Sequence, residues 1–113
     1  MSKAVPAKDM SRNVWLQFGL PDAEEHYLKA ELTLRLARTI GAQGLTQRAA
    51  ARRIGTSQPE LSRIMCGKFF EVSFERLLRF LAALGHEIEI TVGARRTGRA
   101  GGVVVRDSRR RAA

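Results

Sequence analysis

The 113-residue chain, with 44% apolar residues, has material for one small packed domain and too little for a second. It contains no run of about 18 apolar residues and no apolar signal core, so we expect a cytoplasmic protein without a membrane partner. One cysteine and two distant histidines give neither a disulfide nor a metal-ligand spacing, so neither a metal nor a cofactor is expected.

The net charge of +9 comes mainly from two segments. Residues 45–67 hold four arginines against one glutamate, and residues 93–113 hold seven arginines against one aspartate. Such an excess of positive charge favours a polyanionic partner. Because the two segments differ in composition, they need separate explanations.

Composition divides the chain into a flexible arm (1–13), a folded domain (14–92) and a basic tail (93–113). The tail is rich in Gly and Arg, so it buries too little to offset its ordering entropy and is expected to be disordered. It either solubilises the chain or follows the phosphates of a nucleic acid. The apolar residues of 14–20, among them Trp15, are expected to pack on the domain.

The first predicted helix spans 22–43. Pro21 and the acidic residues that follow it suit a helix N-terminus, and Gly44 suits a C-terminal stop. Apolar residues recur every four positions and predict the buried stripe. This stripe consists of Leu28, Leu32, Leu36 and Ile40.

Two short helices follow, separated by Gly55. Thr46 is the expected N-cap of the first, which is dense in alanine and therefore allows close helix packing. Residues 57–60 read S-x-x-E, the pattern of a capping box, and begin a helix over 57–66. On a helical wheel Leu61, Ile64 and Met65 turn inward. The exposed side consists of Gln58, Pro59, Ser62, Arg63 and Cys66.

Ser73 caps a fourth predicted helix that ends at Gly85. Its apolar stripe is Phe74, Leu77, Leu78, Leu81 and Leu84, and we expect Glu75, Arg76 and Arg79 to point away from the core.

Residues 86–92 alternate with period two and predict a strand, with Ile88, Ile90 and Val92 on one side. A lone strand leaves backbone groups unpaired, so pairing with a second copy across a homodimer axis is the economical solution. The alternatives are pairing with another protein's sheet and packing as an extended segment on the chain's own helices. The predicted fold is an all-α bundle of four to five helices with this one strand.

Two short helices joined by a tight turn, the second with a polar cationic face, predict a helix-turn-helix. Residues 45–68 resemble the XRE (Cro-repressor type) family of helix-turn-helix regulators, through Thr46-Gln47, Ala50, Gly55, Ser57-Gln58, Leu61-Ser62 and Gly67. With the flanking residues 19–32 and 73–90, the wider frame resembles small HigA-type antitoxins, and the resemblance covers about residues 13–92.

The resemblance implies roles for individual residues. Gln47 matches a residue that holds a backbone phosphate, and Gln58 matches the first base-reading position. Pro59 departs from the polar residue of many members, so only apolar contact with a thymine methyl or a sugar is expected there. Arg63 suits guanine O6 and N7. The full set of predicted DNA contacts is Thr46, Gln47, Ser57, Gln58, Pro59, Ser62, Arg63 and Lys68.

Three further arginines, Arg48, Arg52 and Arg53, either add to the field at the DNA or are solvated surface residues. Cys66 is interpreted as a spacer near the groove. The Gly-rich segment 93–102 lacks a Walker pattern and no Ser/His/acid set is evident, so we do not expect an enzyme.

The leading interpretation is a homodimeric transcriptional regulator that binds double-stranded DNA at the nucleoid, and we expect it to repress its own promoter. The alternative, implied by the resemblance, is an antitoxin that neutralises a small RelE-like or HigB-like toxin, through the Trp15 segment or the 88–92 strand, and autoregulates its operon. RNA binding by the arginine-rich tail alone is a third interpretation.

Overall fold

The computed structural model describes residues 22–95, 97–98 and 101–108. The predicted arm (1–13) and the Trp15 segment lie outside these residues, as do Arg96, Arg99 and 109–113 of the tail. The described part contains four helices: α1 (Asp22–Ala42), α2 (Gln47–Ile54), α3 (Gln58–Met65) and α4 (Phe74–Ala83). None of these helices is long and apolar enough to cross a membrane.

Helix α1 supplies one wall of the core with its predicted stripe. Leu28 and Leu36 are completely buried, and Leu32 and Ile40 are nearly so. The helix ends one residue earlier than predicted, at Ala42. The amide of Leu45 donates to the carbonyl of Ile40 over 3.1 Å, which satisfies a carbonyl of the last turn and leads the chain into α2.

The three predicted N-caps are confirmed. The hydroxyls of Thr46, Ser57 and Ser73 accept hydrogen bonds from the amides three residues ahead, at Ala49, Glu60 and Arg76. Each cap satisfies an amide that has no partner inside its helix. The starts of α2, α3 and α4 are therefore fixed by local chemistry.

The core lies between the four helices, with α1 packed on α4 and α2 packed on both α3 and α4. Ala50 and Leu61 are both completely buried, and small residues of α2 let α3 approach closely. Helix α4 contributes Leu77 and Leu81 as predicted, and also Phe80, which was not assigned to its stripe. Further core residues that the sequence patterns did not indicate are Phe69 and Val72, in the loop before α4.

A buried lysine ties this loop to α1. The ammonium of Lys29, which is 4% exposed, donates to the carbonyl of Phe70 over 2.7 Å and lies 3.0 Å from the carboxylate of Glu25. A buried charge needs such partners because it has lost its water. The ammonium also lies 5.4 Å from the centre of the Phe70 ring. Lys29 thereby holds the chain that leaves α3 against the first helix.

Part of the C-terminal tail packs on α1. Val103 and Val105 are half-buried against Leu28, and Asp107 accepts a 2.8 Å ionic hydrogen bond from Arg35. These contacts concern residues 103–107, and the disorder expected for 93–113 as a whole stays a prediction. Two valines at alternate positions are enough to attach this segment to an apolar site at the side of the helix.

Residues 86–95 form no strand in this single chain. Ile88 is 37% exposed, Ile90 80% and Val92 91%. This finding gives no support to the alternative in which the segment packs on its own helices. The predicted strand and its pairing across a dimer are not present in the monomer and stay a prediction.

Candidate nucleic-acid interface

Helix α3 presents one polar face to solvent because its opposite face packs into the core. Leu61 and Ile64 are buried, whereas Gln58, Pro59 and Arg63 are exposed and Ser62 is half-buried. Pro59 stands in the first turn, where its missing amide hydrogen has no helical partner to lose. The wheel-based prediction of outward residues is confirmed for Gln58, Pro59, Arg63 and Cys66, whereas Ser62 is half-buried.

A three-residue turn sets α3 against α2. Gly55 ends α2 in a left-handed conformation, with a φ of 83°, that residues with a Cβ rarely adopt. Its amide and that of Thr56 both donate to the carbonyl of Ala51 over 2.9 Å. The chain then reverses directly into the Ser57 cap. The result is a helix-turn-helix whose second helix starts from an exposed end.

The N-terminal ends of α2 and α3 lie side by side on one surface. The side-chain amide of Gln58 donates a 2.9 Å hydrogen bond to the side-chain oxygen of Gln47, and both residues are exposed. Although they are eleven residues apart in sequence, the turn brings the predicted base reader next to the predicted phosphate ligand. The exposed caps Thr46 and Ser57 lie at the same two helix ends. We call these four residues with Pro59, Ser62, Arg63 and Lys68 the recognition surface.

Each cap hydroxyl on this surface accepts a hydrogen bond from an amide and keeps its own proton for another acceptor. The free amides of a helix N-terminus and its positive dipole end favour an anion at the same place. The two helix ends can therefore donate hydrogen bonds to phosphate oxygens without losing their caps.

The basic side chains of 45–68 are exposed, and two of them, Arg63 and Lys68, belong to the recognition surface. Arg48, Arg52, Arg63 and Lys68 are all exposed. Arg53 instead donates a 3.4 Å hydrogen bond to the side chain of Gln43, in the connection between α1 and α2. Arg52 and Arg53 are both exposed, and the bond to Gln43 turns the guanidinium of Arg53 towards the α1–α2 connection.

The one acidic side chain in 45–68 is held by α4. Glu60 accepts hydrogen bonds from both terminal nitrogens of Arg76, at 2.6 Å and 2.9 Å, and from the hydroxyl of Thr56. The Arg76 hydrogen bonds, with that of Thr56, lower the pKa of Glu60 from 4.5 to about 2. Glu60 is therefore ionised and neutralised by Arg76 near neutral pH.

This arrangement corrects two expectations from the sequence. Arg76 was expected to point away from the core, but it lies half-buried across α3. Glu60 was expected to complete a capping box, and its side chain instead binds Arg76 and Thr56, although Ser57 does cap the Glu60 amide. The S-x-x-E pattern was a correct signal for the helix start and carried no information about the distant arginine.

In the part of the chain that the structure describes, neither the free cysteine nor the acidic and histidine residues add a metal site to this surface. Cys66 is a free, exposed thiol at the end of α3, on the same side as Ser62. Within the described ranges, no three His, Cys, Asp or Glu side chains gather in a group able to hold a metal ion. The chemistry available on this surface is hydrogen bonding and positive charge.

Comparison with known proteins agrees with this geometry. Residues 14–93 match a family model described as a helix-turn-helix domain. A solved structure with the description of an XRE family transcriptional regulator superposes with a TM-score of 0.69 at 35% sequence identity, and the match covers 78% of this chain and 99% of that one. A comparison with functionally curated proteins gave no match. The resemblance inferred from residues 45–68 is confirmed at the level of the family, and neither comparison supports the HigA-type subgroup in particular. The chain belongs to the XRE family of helix-turn-helix proteins.

Proposed function

We propose that the chain is a sequence-specific transcriptional repressor that inserts α3 into the major groove of double-stranded DNA. The observation that carries this proposal is the hydrogen bond between Gln47 and Gln58, which places the exposed ends of α2 and α3 on one surface. A B-DNA major groove admits one helix, presented by its N-terminal half. Here that half is exposed, capped and free of uncompensated negative charge.

The proposed contacts divide by type. Thr46, Gln47 and Ser57 bind phosphates, because they lie at helix N-termini where amides and a positive dipole end face outward. Lys68, just beyond the C-terminus of α3, binds a phosphate through the positive charge of its ammonium. Gln58 and Arg63 read bases, since a glutamine suits adenine and an arginine fork suits guanine. Pro59 and Ser62 pack beside them in the groove.

Repression requires stable occupancy of a promoter, which two half-sites provide. We propose that Ile88, Ile90 and Val92 pair with the same residues of a second copy as a two-stranded ribbon. Their apolar side chains are exposed and alternate along the segment, which fits such an edge. A symmetric dimer would then bind an inverted repeat with half-sites roughly 34–36 Å apart.

Fluorescence anisotropy on the DNA upstream of the gene, against a scrambled duplex, tests the proposal. We expect tight binding to the upstream DNA alone, and loss of that preference in the Gln58→Ala/Arg63→Ala variant. Arg79→Ala is the matched control, because it removes one exposed arginine that is paired with Glu75 on α4. Equal and steeply salt-dependent binding to both duplexes by all variants would contradict base reading.

A second candidate function is neutralisation of a small toxin protein, for which the exposed 88–92 segment is the proposed contact. Pairing of that segment with a partner's sheet would satisfy the same backbone groups as a homodimer. Co-expression with the product of a neighbouring gene distinguishes the two. A complex that survives in Gln58→Ala/Arg63→Ala and is lost in Ile90→Glu would support it, and the absence of a complex would leave DNA binding as the sole function.

A further inference from the structure

Glu60 occupies an unfavourable place for a protein that binds DNA. It lies in the first turn of α3, between Pro59 and Ser62, and it is the one acidic residue of 45–68. A free carboxylate there would stand beside residues proposed to approach bases and phosphates. Its repulsion of phosphates would oppose every positive charge on the recognition surface.

Arg76 removes this carboxylate from the surface. The two terminal nitrogens of Arg76 bind the two carboxylate oxygens of Glu60 in a fork, at 2.6 Å and 2.9 Å. One of these nitrogens also lies 3.3 Å from the hydroxyl of Thr56, which itself donates to Glu60. The turn residue, the first turn of α3 and α4 are thus joined through one guanidinium.

The guanidinium of Arg76 also contacts the ring of Phe80. Its central carbon lies 5.2 Å from the centre of the Phe80 ring, which is 3% exposed. The backbone of Arg76 is fixed by the Ser73 cap at the start of α4. Arg76 therefore reaches Glu60 from a capped helix start, with its guanidinium against a core ring.

We propose that Arg76 is a positioning residue for DNA recognition, which acts through Glu60 by withdrawing the carboxylate from the recognition surface and fixing the first turn of α3. This inference rests on the proposed function, because its effect is on DNA affinity. Arg76 acts without contacting DNA. Its role requires the fork, which lysine cannot reproduce.

The test compares Arg76→Ala, Glu60→Gln and the double variant, by anisotropy on a DNA duplex that the wild type selects from random sequences. We expect Arg76→Ala to weaken binding about fivefold or more per half-site, since it frees a carboxylate near phosphates. The double variant should return to within about twofold of Glu60→Gln, because no free carboxylate remains. Arg79→Ala is the control of equal charge on the same helix.

The salt dependence of binding distinguishes positioning from direct contact. If Arg76 only positions Glu60, the double variant and Glu60→Gln, neither of which has a free carboxylate, show the same slope of log affinity against log salt. If Arg76 itself binds a phosphate, the slope falls by about 0.9 and Glu60→Gln does not rescue the loss, which would overturn the proposal. Equal affinity of Arg76→Ala and Arg79→Ala would overturn it too.

Folding is checked by thermal unfolding of each variant. Should Arg76→Ala be unfolded, Arg76→Lys keeps the charge and loses the fork, and we expect it to bind more weakly than wild type and to be rescued by Glu60→Gln. Wild-type affinity in Arg76→Lys would contradict the proposal. Failure of the proposed function would be seen separately, because the wild-type protein would then select no DNA sequence from the random pool.

Discussion

The side chains of Gln47 and Gln58 are joined by a 2.9 Å hydrogen bond across the turn between α2 and α3. Both residues are exposed, so water competes for this bond and its own contribution to stability is small. Its importance lies in orientation, because it aligns the proposed phosphate ligand, Gln47, with the proposed base reader, Gln58, before DNA arrives. Pre-ordered side chains lose less entropy on binding.

This pair predicts coupled effects on DNA binding. We expect Gln58→Ala to weaken the selected duplex more than a scrambled one, and Gln47→Ala to weaken both, since phosphate contacts carry no sequence information. The double variant should lose less than the sum of the single losses. Anisotropy titrations of the four proteins measure this coupling, and strictly additive losses would show that the pair has no common role.

The Glu60–Arg76 pair predicts a pH dependence of stability. Because the pKa of Glu60 is about 2 in the folded protein and 4.5 is its ordinary value, its contribution is present above pH 4.5 and is lost as the pH falls from 4.5 towards 2. We expect Glu60→Gln to cost about 1 kcal/mol at neutral pH, since water screens this partly exposed pair, and to cost less at about pH 3. Urea unfolding at both pH values measures the difference. Glu75→Gln, in an exposed pair with Arg79, is the control, and an equal cost at both pH values would contradict the assignment.

The docked tail segment predicts a contribution to domain stability. Val105 is half-buried, while its neighbour Val104 is 68% exposed. Val105→Asp should lower the free energy of unfolding by about 1–2 kcal/mol, because it places a carboxylate in an apolar contact, and Val104→Asp should change it little. Thermal unfolding compares the two, and equal midpoints would show that the tail does not stabilise the domain in solution.

The proposed ribbon predicts a change of oligomeric state. Ile90→Glu/Val92→Glu should convert a dimer into a monomer, since like charges would face each other across the paired strands. Thr91→Glu, on the other side of the alternating segment, should leave the dimer intact. Sedimentation equilibrium distinguishes these outcomes. A wild-type monomer, or a dimer in all three proteins, would contradict the ribbon.

The local elements of this fold could be predicted from sequence because local chemistry specifies them. Thr46, Ser57 and Ser73 cap the helices expected from them, and the leucine stripe of α1 is buried. The exposed side of α3 could be predicted too, because the positions of its apolar residues determine which side of the helix is buried.

What sequence patterns missed depends on distant partners. The fork between Glu60 and Arg76 spans 16 residues, and a helical wheel of α4 gives no sign of a carboxylate on α3. Likewise Phe69 and Val72 are buried in a loop without periodicity, which Lys29 of the distant helix α1 binds at the carbonyl of Phe70. The attachment of Val103 and Val105 depends on an apolar site beside Leu28 that only the folded bundle forms.

The central claim is that α3 reads bases in the major groove, and a cycle between a residue and a base tests it most directly. Wild type and Arg63→Ala would each be titrated with the selected duplex, carrying either guanine or 7-deazaguanine at each guanine in turn. For the wild type, removal of N7 breaks one of the two hydrogen bonds from Arg63 and should weaken binding at one guanine in each half-site, by up to about 1–3 kcal/mol. For Arg63→Ala, the same removal should cause no further loss of affinity at that guanine. If the losses from Arg63→Ala and from 7-deazaguanine add at every position, Arg63 does not read guanine and the proposed docking of α3 is wrong.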